Sequence, residues 1–69
     1  MKIVEAVLVV LRSENRPLTA SELFNAIQER KLFDFKAKDP LNVLRSQIRK
    51  SIARSEYAIK IDQNKRYFL

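Results

Sequence analysis

The chain has no cysteine, no histidine, no glycine and no tryptophan among its 69 residues. Without cysteine, neither a disulfide framework nor a thiolate metal site can brace so small a scaffold, and its stability has to come from packing. The joint absence of cysteine and histidine removes the strongest nucleophile, the commonest general base and the usual transition-metal ligands. A glycine-rich phosphate loop is excluded because there is no glycine to build it. Eight acids remain, but they are scattered among bases, with no pair placed for acid–base work. The sequence therefore predicts a protein that is not an enzyme, holds no metal or other cofactor and takes no small-molecule substrate.

Long hydrophobic runs are also missing. The most apolar stretch, Val4 to Leu11, is interrupted by Glu5 and falls well short of the roughly 20 residues needed to cross a bilayer. It is followed by Arg12-Ser13-Glu14-Asn15-Arg16 instead of the small residues of a signal-peptide cleavage site. No membrane partner is expected. The setting expected is intracellular, in cytoplasm, nucleoid or nucleus.

What is present is a 46% hydrophobic content with no Pro/Gly/Ser linker, enough for residues 1–69 to form one domain near the lower size limit for a packed core. The net charge of +6 is unevenly spread: residues 1–35 carry five bases and five acids, whereas residues 36–69 carry nine bases and three acids. A basic excess confined to one half of a small domain is the electrostatic footprint of a polyanion binder.

Val4, Val7, Leu8 and Leu11 recur at helical spacing and predict a first helix over about Lys2–Ser13. Ile3, Val9 and Val10 lie outside that stripe. They point either to deep burial or to a docking surface for another domain or a protein partner. Pro17 closes this segment, and Thr19-Ala20-Ser21-Glu22 reads as a capping box that starts a second helix at Ala20. Its inner face would be Ala20, Leu23, Phe24 and Ile27, with Leu18 acting as a staple or a one-residue bridge. Phe33 and Phe35 are assigned to core packing in preference to base stacking, because so small a domain needs its large apolar groups.

Asp39-Pro40 supplies an N-cap and a first-turn proline for a third helix running to about Arg54. Leu41, Leu44, Ile48 and Ile52 fall within about 80° of each other and form its core stripe. Asn42, Ser46, Arg49, Lys50 and Ala53 lie roughly opposite, with Arg45 and Arg54 on the flanks. Tyr57, Ile59 and Ile61 then alternate with Ala58 and Lys60 in the manner of a half-buried strand. Asp62-Gln63-Asn64-Lys65 supplies a turn, with Asn64 expected to take its left-handed position. Arg66 to Leu69 returns as a second strand that buries Tyr67 and Leu69.

Three helices followed by a β-hairpin make a mainly α (α+β) fold on the winged helix-turn-helix plan, in which helix 3 enters the major groove and the hairpin flanks it over phosphates. Arginine can grip guanine, asparagine can pair with adenine, and serine can donate to base or phosphate. The candidate DNA-binding residues are Asn42, Arg45, Ser46, Arg49, Lys50 and Arg54 on helix 3, Lys65 and Arg66 on the wing, and Lys36 and Lys38 in the preceding loop. Their partner would be double-stranded DNA.

The run Pro17-Leu18-Thr19-Ala20-Ser21-Glu22-Leu23, Leu32-Phe33 after helix 2, Asp39-Pro40 opening a Leu44-Arg45 helix, and the terminal Arg66-Tyr67-Phe68-Leu69 together resemble the HARE-HTH domain. That winged-helix family occurs in additional-sex-combs-like chromatin proteins, in restriction endonucleases and in the delta subunit of bacterial RNA polymerase. Asp39 stands where the family usually has threonine. Lys31 and the wing segment Gln63-Asn64-Lys65 stand where it usually has glycine. The resemblance implies a DNA-binding accessory module of a larger restriction-modification, chromatin or transcription protein. The polymerase subunit implies the alternative, a module that docks on a protein partner such as RNA polymerase without touching DNA.

Overall fold

Each helix begins where a short side chain or a neighbouring carboxylate meets backbone amides that the helix itself cannot satisfy. In the computed structural model, which describes residues 1–69, α1 spans Ile3–Glu14, α2 Ala20–Glu29 and α3 Pro40–Arg54. The Glu5 carboxylate accepts from the Lys2 amide at 2.7 Å at the head of α1. At α2 the capping box closes in both directions: the Glu22 amide donates to the Thr19 hydroxyl at 3.2 Å and the Thr19 amide to the Glu22 carboxylate at 2.8 Å. Asp39 caps α3 by accepting from the Asn42 amide at 3.3 Å, with Pro40 in the first turn.

The helix ends show how a glycine-free chain stops a helix. Asn15, Lys31 and Ser55 take left-handed backbone, with φ of 52°, 54° and 53°. After α2 the Leu32 amide returns to the Ile27 carbonyl and the Lys31 amide to that of Gln28. After α3, Glu56 and Ser55 repeat the pattern on Ser51 and Ile52. Both are Schellman-type closures, which ordinarily take glycine because a Cβ in this conformation costs about 1 kcal/mol or more. Lys31 thus occupies a left-handed position without the residue that favours it.

Three short strands, β1 (Leu18–Thr19), β2 (Lys60–Ile61) and β3 (Arg66–Phe68), form an antiparallel sheet in the order β1-β3-β2. Leu18 pairs with Tyr67, and so does Ile61 from the other side. Leu18 is therefore part of a true strand. The hairpin turn is organised by Asp62, whose carboxylate accepts from the amides of Asn64 at 2.8 Å and Arg66 at 3.0 Å. The left-handed residue of this turn is Lys65, at φ 59°, and not Asn64. The reason is the bond from the Lys65 amide to the Asp62 carbonyl, which makes Asp62 to Lys65 a β-turn and leaves the positive φ to the residue that closes it.

The core joins all these elements. Val7, Val10, Leu23, Ile27, Leu44 and Ile48 are wholly removed from solvent. Val10 lies outside the apolar stripe of α1, yet it is in the core because both α2 and α3 pack on that helix. Ile3 is half-buried, which leaves Val9, 37% exposed, as the sole member of that trio on the surface. Phe33 and Phe35 pack against the core, and Phe35 stacks obliquely on Phe24 and Phe33 at centroid distances of 5.1 and 4.9 Å.

Two expectations for the hairpin fail. Ile61 and Leu69 are each 46% exposed. Ile61 lies on an edge strand of only two residues, and Leu69 lies beyond the last ladder residue; neither has a second layer above it. Tyr57 to Ile59 likewise stay outside the ladder. On α3, Leu41 and Ile52 are half-buried, and the face turned inward is completed by Ser51.

Ser51 is only 5% exposed and its hydroxyl finds no hydrogen-bond partner. An orphaned hydroxyl in an apolar interior is a stability defect, and alanine is the better helix former. Ser51→Ala is expected to raise stability by about 1 kcal/mol, or about 4 to 8 °C in Tm for a domain of this size. An unchanged or lower Tm in a thermal melt would show that the hydroxyl is satisfied in solution.

Candidate nucleic-acid interface

Because Leu44 and Ile48 are fully buried, the helical period fixes where every other side chain of α3 emerges. Arg45 and Arg49, one turn apart, lean toward the hairpin. There they line a cleft of about 560 Å³ with Thr19, Ala20 and Ser21 from the start of α2 and with Ile61, Asn64, Lys65 and Tyr67 from the wing. The cleft is chemically one-sided: it holds three cations and no acid. Arg45, Arg49 and Lys65 take no part in any of the five ion pairs of the structure, which use Arg16, Arg30, Lys36 and Arg54. The positive end of the α2 dipole adds to this field.

Asn42 and Ser46 stand on the outer ridge of α3 beside the arginine row, Asn42 exposed and Ser46 half-buried. Lys50 and Arg54 emerge on the other flank, in a separate groove with Lys2 and Tyr57. Arg54 is partly engaged there, 3.5 Å from Glu56. Lys36 is 3.8 Å from Asp34 in an open loop, and Lys38 is exposed just before the α3 cap. Arg66 alternates with the buried Tyr67 on β3, so it projects from the opposite face of the sheet, close enough to Glu22 and Arg16 to act on the Glu22 carboxyl. The structure thus brings together Arg45, Arg49 and Lys65, and sets Lys50, Arg54 and Arg66 apart from them.

Sequence reasoning misses four participants in the cleft. Alternation assigns Ile61 to the buried side of a strand, and the turn pattern gives Asn64 no role beyond the turn. Thr19 and Ser21 read only as helix-start residues. The α2 start could have been found from the plan itself, since a helix-turn-helix brings the head of its second helix beside the third.

Hydrogen bonding from the Thr19 backbone amide holds the Glu22 carboxyl below its ordinary value of 4.5. The Thr19 hydroxyl, Arg16 and Arg66 act in the same direction, and burial opposes them weakly. A lowered folded-state value means that this box contributes its full stability above about pH 4.5 and loses it as the pH falls through the lowered value. Glu22→Gln keeps the capping geometry without the titration. Its Tm deficit relative to wild type is expected to shrink between neutral and strongly acid pH, and a deficit constant with pH would contradict the shift.

The three helices and the antiparallel three-stranded sheet, with α3 laid beside a hairpin, define a winged helix-turn-helix domain. The family model HARE-HTH, described as an ASXL and restriction endonuclease HTH domain, matches residues 1–64, and the chain belongs to this family. The HARE-HTH domain is generally a DNA-binding helix-turn-helix module. No curated protein and no solved structure matches the chain significantly.

Proposed function

We propose that this domain binds double-stranded DNA, with α3 in the major groove and the wing on the adjacent backbone. The observation that carries this reading is the acid-free cleft in which Arg45 and Arg49 of α3 face Lys65 of the wing, all three free of ion pairs. Cations held without internal counterions keep their full attraction for phosphates. Asn42 and Ser46 on the neighbouring ridge supply groups that can read base edges. Ile61 offers an apolar contact to a sugar or a thymine methyl. Lys36, Lys38, Lys50, Arg54 and Arg66 extend the positive field that draws the duplex in. The domain would serve as an intracellular DNA-tethering module of a larger restriction-modification, chromatin or transcription protein.

Titration of a short duplex over a salt series tests the reading. Three phosphate contacts predict a log–log slope of about −2.7, at about −0.9 per contact, and Lys65→Gln should reduce it by about one unit. Absence of duplex binding at low salt would remove the proposal and favour the protein-docking alternative.

A further inference from the structure

The flank of α3 away from the wing cleft has its own character. Lys50 and Arg54, one turn apart, form one wall of a groove of about 320 Å³, and Lys2, at the head of α1, stands on the other. Between them lies apolar surface from three parts of the chain: Ile3 of α1, Phe33 of the loop after α2, and Tyr57 beyond α3. Each of these three is half-buried, so each keeps part of its side chain in solvent. Glu56 is on the rim, 3.5 Å from Arg54.

We infer that this groove is a docking site for an acidic peptide segment that carries a large apolar side chain between its carboxylates. The charge pattern selects carboxylates, since three cations from two elements face one acid. The floor selects the apolar residue: burying half-exposed aliphatic and aromatic surface is favourable, and an aromatic rim with flanking cations is the composition of protein-interaction surfaces. Glu56 argues against a nucleic-acid strand in the same place, because a carboxylate on the rim repels a continuous row of phosphates while accepting a peptide N–H. The wing cleft, which has no acid, differs on this very point. A domain built this way holds DNA on one flank of α3 and a protein on the other, and the second contact stands independently of the first.

The test uses the full chain, labelled with ¹⁵N, and a short synthetic peptide in which aspartates flank a leucine and a phenylalanine. The expected result is binding with a Kd below about 1 mM, with amide shifts concentrated at Ile3, Val4, Ser51 and Tyr57. Lys2→Glu combined with Lys50→Glu is expected to weaken it by about tenfold or more, as loss and reversal of two exposed charge contacts allows. Arg45→Glu combined with Arg49→Glu should leave peptide affinity within about threefold, since those residues lie on the other flank. Thermal melts establish that all variants remain folded. The inference is overturned if the peptide produces no shifts, if its shifts fall in the wing cleft, or if a counterpart with lysines for aspartates binds equally well. A single-stranded oligothymidylate that occupies this groove in preference to the peptide would overturn it in favour of a nucleic-acid site.

Discussion

Replacing Leu44 with alanine should cost about 2 to 5 kcal/mol, against a total stability of about 3 to 10 kcal/mol for a domain of this length. Leu44 is fully buried in the cluster that also includes Val7, Leu23, Ile27 and Ile48. The chain has no disulfide to limit the loss. The substitution removes three methyl-bearing carbons from the point where α3 meets the core, and the surrounding side chains come from helices that cannot all close on the gap. Denaturant unfolding monitored by circular dichroism reads the effect directly. Ile48→Val, one methylene smaller, should cost only about 0.5 to 1.5 kcal/mol. A loss under about 0.5 kcal/mol for Leu44→Ala, the range of surface sites, would mean that α3 is rotated from the orientation described. Arg45 and Arg49 would then no longer face the wing.

Charge reversal of Arg45 and Arg49 together should abolish duplex binding while leaving the melting temperature nearly unchanged. Both side chains are exposed and make no ion pair, so the fold has little to lose. The duplex loses two phosphate contacts and gains two repulsions in a cleft that wild-type α3 leaves free of acids. Fluorescence anisotropy with a labelled duplex at low salt should show at least about a hundredfold weakening, since two charge-assisted contacts of about 1.5 kcal/mol each already supply that factor. Retained affinity in this double variant would exclude the wing cleft as the DNA contact, whatever the wild-type salt slope.

Much of the fold was legible because it rests on local chemistry. Asp39-Pro40 and Thr19-Ala20-Ser21-Glu22 announce helix starts, and the caps form at those places with those partners. The spacing of Leu44 and Ile48 marks the inner face of α3, and both are fully buried. The hairpin was harder to read. Alternation from Tyr57 to Ile61 has the period of a strand, but period alone does not say how many residues find a ladder partner. Two do. Ile61 and Leu69 are exposed because no further layer covers the edges of so small a sheet, a fact of assembly that the residues themselves do not carry.

The left-handed positions make a similar point. Asn64 has the better intrinsic tolerance of positive φ, and Lys65 takes it because the amide bond to Asp62 sets the turn. Lys31, where related sequences usually have glycine, keeps the backbone conformation that glycine would favour. Here closure of the helix end outweighs the cost of a Cβ.

By itself, the sequence determined the number and order of the helices, the inward face of α3, the surplus of positive charge after residue 35 and the absence of histidine and cysteine chemistry. These follow from composition and from periods of a few residues, which local geometry converts directly into structure. Tertiary structure alone decided how the bases are grouped. Arg49 and Lys50 are neighbours in sequence yet open into different grooves, because successive residues of a helix diverge by about 100° and the wing covers just one of the two flanks. Lys65, remote in sequence from Arg45, joins the same cleft through the register of β3 against Leu18 and Ile61.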